Sequence, residues 1–251
     1  MSLTVISVPL PSKGLVYPVG SPLHKMENIE VREMTANEED LLTSFTLIRT
    51  GKAIDEVVKA CLMTKDIDPS KMVVGDRNSL VTGLVLASYG EKYETDVRCE
   101  SCNEVNKKHE FNINNLPIKW LGEAPVTEGV NEFGYQLPKS KKQVTFKLAT
   151  SEDEKEISTV LSRLKSSTNR EANITIRLKQ LILSVDGERD AEKIAAFVDR
   201  RAMPIADSLA LRNRIEQIAP DIDTKQPFTC VHCGYQSTVN MPIDFNFFWR
   251  A

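Results

Sequence analysis

The sequence predicts a mixed α+β fold: a helical N-terminal part, a split zinc-ribbon-like β unit, and a helical second half inserted between the ribbon's halves. Apolar residues recur at helical spacing through 35–90 and again through 151–218, whereas 93–111, 133–148 and 228–241 read as short, alternating strands. Two CxxC pairs with the same spacing, Cys99-Glu100-Ser101-Cys102 and Cys230-Val231-His232-Cys233, lie inside two of those strand regions, far apart in the chain. These observations divide the chain into an extended arm over 1–27, a helical part over 28–92, a β-rich part with the first knuckle over 93–150, a helical insertion over 151–222, and a second knuckle with an aromatic tail over 223–251.

The opening is rich in Pro and Gly and carries Leu10, Leu15, Val16 and Tyr17, which reads as an arm whose apolar residues dock on this domain or on a partner. Residues 29–34 alternate as a strand. Thr35 with Glu38 is a capping-box pattern that opens a helix to about residue 50, with Leu41, Leu42, Phe45 and Ile48 inward. Gly51 interrupts it, and 53–63 continues as a helix whose Cys61 reads as a small buried hydrophobe. Residues 73–78 read as a turn with Asp76 as N-cap of a third helix, which ends at Gly90. A strand at 93–98, the first knuckle and a returning strand at 105–111 follow. After an irregular stretch, 133–137 and 144–148 form a hairpin around a tip containing Lys139, Lys141 and Lys142.

Ser151 with Glu154 repeats the capping pattern. Helices are expected over 152–165, 171–185, 191–201 and 204–218, with Val160, Ile174, Ile205 and Leu209 among the inward positions. The chain closes with the second strand–knuckle–strand unit and the tail Asp244-Phe245-Asn246-Phe247-Phe248-Trp249, which reads as packing back on the core.

Two residues between cysteines let both thiolates reach one metal from a tight turn, and two such turns complete a tetrahedral zinc shell. Cys99, Cys102, Cys230 and Cys233 are therefore the expected ligands of one structural Zn. Gly234 follows the second pair and Asn103 the first, the residue types that best tolerate the positive φ a knuckle needs. His232 is expected to face solvent. Neither pair opens a helix in a βαβ pattern, which argues against redox chemistry. Four protein ligands leave no open position, so the metal's task would be folding: it would pin the C-terminus back onto the first half of the chain.

Composition narrows the function classes. The 251 residues are 41% hydrophobic and 27% charged, ordinary for a globular chain. A formal net charge of −3, with Glu94, Asp96, Glu100 and Glu104 around the first knuckle, argues against nucleic acid as partner. The N-terminus does not read as a secretory signal, and no apolar run approaches a membrane span. Five cysteines, four of them in CxxC pairs, fit metal binding in a reducing compartment better than disulfides. The histidines, three in all, lie in no metal-catalytic pattern, and GxSxG, Walker A and GxGxxG are absent. Ser162-Arg163-Leu164-Lys165 matches SxxK but lies on an amphipathic helix, where it reads as a solvated face. No catalytic or small-molecule site is expected.

Several stretches together resemble the baseplate hub assembly proteins of T-even-like tailed bacteriophages. They are Leu10-Pro11-Ser12-Lys13-Gly14-Leu15-Val16-Tyr17-Pro18, Glu30-Val31-Arg32-Glu33-Met34-Thr35, Gly51-Lys52-Ala53-Ile54-Asp55, Val74-Gly75-Asp76-Arg77-Asn78 and Ser88-Tyr89-Gly90. The resemblance covers roughly residues 9–115. It implies a non-enzymatic role in building the baseplate hub by binding other tail proteins, in the host cytoplasm during assembly or in the virion baseplate. It carries no functional residues over to defined positions. The rival expectation is a zinc-ribbon protein that binds nucleic acid, such as a phage transcription or replication factor.

Overall fold

The computed structural model describes residues 3–168, 173–199, 202–241, 243 and 245–248. Strands β1 (Val5–Pro9) and β2 (Asn28–Arg32) pair antiparallel, Val5 opposite Arg32. The arm between them is folded into this chain: Leu10, Val16, Tyr17 and Leu23 are buried in its core. It is fastened by Asp76, whose carboxylate accepts from the Ser12 amide at 2.8 Å, the Ser12 hydroxyl at 2.5 Å and the Tyr17 hydroxyl at 2.6 Å. Asp76 is fully buried. It is not the expected N-cap, because the helix already begins at Val74 with Val73 in the capping position. Burial raises the Asp76 carboxyl above its ordinary range, and Ser12 and Tyr17 pull it partly back.

The Thr35–Glu38 capping box forms at the start of α1 (Ala36–Thr43), and Arg32 holds the Glu38 carboxylate from the neighbouring strand. The expected single helix breaks at Ser44, which is extended (φ −63°, ψ 110°). That break turns the short α2 (Phe45–Arg49) so that Phe45 and Ile48 face outward instead of into the core. Helix α3 (Ala53–Cys61) buries Val57, Val58 and Cys61, and burial pushes the Cys61 thiol up to about 12. Helix α4 (Val74–Tyr89) is the central post: it packs on β1 and β2 and ends at Gly90 in a positive-φ conformation.

Two antiparallel hairpins carry the cysteine pairs: β3 (Lys92–Arg98) with β4 (Val105–Asn112), and, near the end of the chain, a second pair described below. Strand β5 is the dipeptide Ile118–Lys119. Strands β6 (Phe133–Gln136) and β7 (Gln143–Phe146) form the expected hairpin. Helix α5 (Ser151–Thr168) begins one residue before the expected start, because Thr150 and Asp153, not Ser151 and Glu154, exchange the capping bonds. Val160 lies on its exposed side.

Helix α6 (Asn173–Leu181) is shorter than expected; residues 171 and 172, where the helix was to begin, lie outside the described residues, and Ile174 is exposed. Residues Ile182–Val185 leave the helix as strand β8 and pair with β7, completing a three-stranded sheet. A short apolar run fits either period, and the open edge of β7 decides it. Helix α7 (Ala191–Asp199) follows; the expected end at 201 lies outside the described residues. Helix α8 (Ile205–Ile218) buries Asp207, Leu211 and Ile218, leaving Ile205 and Leu209 outside. The polar Asp207 occupies the inward stripe because its carboxylate accepts from the Lys139 and Ser140 amides of the hairpin tip, at 2.7 and 3.0 Å.

Strand β9 (Asp221–Ile222) pairs with β5, and β10 (Lys225–Thr229) pairs with β11 (Gln236–Asn240) in the second cysteine hairpin. The tail returns to the core as a 3-10 turn: Phe247 and Phe248 are buried, with the Phe247 ring edge-on to Tyr93 at 4.9 Å. Asp244 and Trp249, expected to belong to that tail, lie outside the described residues, as do the Phe245 and Asn246 side chains.

Candidate metal centre

The cysteine-bearing turns are near copies of each other. In the first, the Asn103 amide donates to the Cys99 carbonyl at 3.0 Å and the Cys99 amide to the Glu104 carbonyl at 2.9 Å. In the second, Gly234 donates to Cys230 and Cys230 to Tyr235, both at 2.9 Å. The closing residues have φ of 63° at Asn103 and 72° at Gly234, the left-handed conformation their residue types tolerate. Such a turn leaves both thiols of a pair on the same side.

The two hairpins bring these thiols to one point. Cys99 Sγ lies 3.8 Å from Cys233 Sγ, and Cys102 Sγ lies 3.7 Å from Cys230 Sγ. All four sulfurs fall within 4.8 Å of one another. The spacing is far longer than a disulfide bond of about 2.05 Å. A tetrahedron with metal–sulfur bonds of about 2.3 Å has edges of about 3.8 Å; the Cys99–Cys233 and Cys102–Cys230 distances match that edge, and the set as a whole, within 4.8 Å, is compatible with a metal site. Cys99 and Cys230 are buried, Cys102 is half-buried and Cys233 is exposed, so the cluster sits at the edge of the core. His232 is exposed and stays outside the cluster.

Asn106 links the halves, and its importance was not legible in the sequence. This buried residue of β4 accepts from the Val231 amide at 2.8 Å through Oδ1 and directs Nδ2 at Cys230 Sγ, 3.5 Å away. Burial opposes ionisation of the Cys230 thiol, but the hydrogen bonds from Asn106 and from the His232 and Cys233 amides outweigh it and bring it down to about 6. The signal available was an asparagine in a strand, where that residue is depleted. His109 adds an apolar clasp: its ring is edge-on to Phe111 at 4.8 Å and to Phe228 of the other hairpin at 5.1 Å.

The remaining singled-out residues find structural partners. Lys142 pairs with Asp186 at 2.5 Å, so the basic tip is partly neutralised. The Ser162 hydroxyl donates to the Ser158 carbonyl at 2.8 Å on an exposed face, and the Lys165 side chain lies outside the described residues. No helix among the described residues is long and apolar enough to cross a membrane.

A family model described as T4 bacteriophage base plate protein matches residues 6–249, nearly the whole chain. The chain belongs to this family. It is a T4-like phage baseplate protein, and the family implies contact with other baseplate or tail proteins and a place in the virion. No curated protein and no solved structure matches it. The match of the baseplate family extends the likeness seen over residues 9–115 through the helical second half and the second knuckle.

Proposed function

We propose that this baseplate protein is a hub component or hub assembly factor that acts without catalysis, by binding other tail proteins, and that its four cysteines hold one structural zinc. The observation that carries the reading is the thiol cluster itself. In a baseplate-family chain, four sulfurs from hairpins 128 positions apart meet within 4.8 Å of one another, at the edge of the core and with no coordination position to spare. Closed tetrathiolate sites fold proteins; they do not bind and activate water. The zinc would hold the C-terminal hairpin in place and present a fixed surface to neighbouring subunits.

Elemental analysis of the purified protein tests the metal: one zinc per chain is expected, lost in the double variant Cys230→Ser/Cys233→Ser. Affinity purification from infected cells, with mass-spectrometric identification of what co-purifies, tests the role. Hub subunits should dominate. Zinc-free native protein, or a preparation bringing down no baseplate protein, would overturn the corresponding half of the proposal.

A further inference from the structure

Strand β1 gives one edge to β2 and leaves the other open. The phase of the ladder shows which groups face out. At one end the Glu33 amide donates to the Thr4 carbonyl, and at the other the Leu10 amide donates to the Glu27 carbonyl, both at 2.8 Å. Even-numbered residues of β1 therefore bond β2, and Val5, Ser7 and Pro9 turn their main-chain groups away from it. The Pro9 carbonyl is answered by the Ser79 hydroxyl at 2.6 Å. The main-chain groups of Val5 and Ser7 have no hydrogen-bond partner among the described residues, and both residues are exposed. The outer edge of β2, by contrast, is partly covered, since the Met63 amide donates to the Glu30 carbonyl at 3.0 Å.

A groove of about 240 Å3 lies along the open edge. Ile6 and Val8 line it from β1, Gly83 and Leu86 from α4, and Leu116 and Ile118 from the segment opposite. Helix α4 forms the floor, because Val8 rests directly on Gly83, where a methyl group would meet its side chain at 2.3 Å. The two walls come together where the Leu121 amide donates to the Pro11 carbonyl at 2.9 Å. Every lining residue is uncharged, and the Ser79 and Thr82 hydroxyls are committed to the Pro9 and Asn78 carbonyls.

We propose that β1 accepts an extended segment of a partner polypeptide as a third strand, whose alternate aliphatic side chains enter this groove. The inference rests on the reading of the protein as a binder of other tail proteins. The groups left open fix the occupant's conformation. A helix has its own main-chain groups paired and cannot answer the Ser7 amide and carbonyl; an extended chain about 4.8 Å away can. The charge of the groove fixes its composition. An uncharged lining offers nothing to a charged side chain, so the inward residues are aliphatic, and the alternate ones, level with exposed Val5 and Ser7, are polar. With Leu116 and Ile118 across the groove, a single chain fits beside β1, whereas the edge of a second packed sheet does not.

The test uses the full-length protein and ten-residue peptides tiled across the other tail proteins of the phage, titrated by fluorescence anisotropy. At least one peptide with alternating aliphatic residues and no proline should bind. Hydrogen exchange on that complex should show new protection at the Val5 and Ser7 amides. Ser7→Pro removes the outward amide without touching a bond to β2, and should weaken the peptide at least tenfold. No bound peptide, or bound peptides that leave the Val5 and Ser7 amides exchanging as in the free protein, would overturn the proposal without any variant that has to fold. Undiminished binding to a folded Ser7→Pro protein would overturn it as well. Protection of the same amides by concentration-dependent dimerisation of the peptide-free protein would assign the edge to a second copy and remove the partner segment. The readout is independent of co-purification: failed peptide binding beside intact capture of hub subunits removes the strand site alone, and the reverse result removes only the hub reading.

Discussion

Glu38 shows how a single side chain can be half legible. Its place in the capping box follows from Thr35 three positions earlier, but its second partner, Arg32, comes from the preceding strand. The Arg32 guanidinium holds the Glu38 carboxyl down to about 2, helped by Thr35 and opposed by burial. Because the folded value lies below the ordinary 4.5, the stabilisation is present above about pH 4.5 and is lost as pH falls towards 2. A shift of that size corresponds to about 3–4 kcal/mol. Urea unfolding between pH 6 and pH 2 should therefore show a loss of stability in the wild type that is markedly smaller in Glu38→Gln; parallel curves would refute the assignment. Asn106 was scarcely legible, because its partner Val231 is 125 positions away and its one local signal is an asparagine standing in a strand. Outer residues that orient metal ligands are typically worth about 10–100-fold in affinity. Asn106→Ala should weaken zinc binding by that factor in competition with a chromophoric chelator, with the four cysteines intact. An unchanged affinity would reduce Asn106 to a packing residue. Asp76 makes the complementary point: position alone suggested a cap, and only the folded arm reveals Ser12 and Tyr17 as its partners.

At the scale of elements, periodicity served where a segment had one dry face and failed where tertiary partners decided. The cysteine hairpins and α3, α4 and α5 appear within a few residues of their expected bounds because their patterns are long or punctuated by Gly. Strand β8 was read as helix because Ile182–Val185 fits both periods and its partner strand lies 39 positions earlier, as the Thr145–Ser184 hydroxyl contact records. The inward stripe of α8 was misread because an aspartate stands in it. Two glycines allow a test of what an element boundary tolerates. A methyl group at Gly75 would stand 1.9 Å from the Pro220 carbonyl oxygen, a backbone atom with no room to retreat. Gly75→Ala should cost about 3 kcal/mol by overpacking. At Gly234 a methyl meets nothing within 4 Å, so Gly234→Ala should cost only the left-handed strain, about 1 kcal/mol. Chemical denaturation of the pair measures both; a cost at Gly234 equal to that at Gly75 would contradict the open surroundings of the knuckle.

At the scale of the whole molecule, the sequence pointed to zinc as the one closure around an inserted helical half, and the structure distributes that closure. Strand β8 is hydrogen-bonded to β7, β9 to β5, and Asp55 of α3 bonds both Arg77 of α4 and Lys155 of α5. These ties come from residues with no spacing signature, which is why the cysteines alone stood out. Closing a loop of 128 positions costs about 5 kcal/mol of chain entropy in the simple loop model, and here several contacts besides the thiols share that cost. Apart from the thiols, the cysteine hairpins are held by Asn106, by the His109–Phe228 contact and by buried residues such as Tyr93 and Phe111; β3–β4 and β10–β11 are separate two-stranded sheets, which are marginal alone. Metal removal should therefore act locally before it acts globally. Hydrogen exchange after chelation should show lost protection across 92–112 and 225–240, while α4 and the β6–β7–β8 sheet stay protected, and the melting temperature should fall. The loosening should reach the buried Phe247, which rests on Tyr93 of β3. Unchanged exchange in both hairpins after complete metal removal would mean that Asn106, His109 and the aromatic contacts suffice, and the tetrathiolate cluster would lose its structural role.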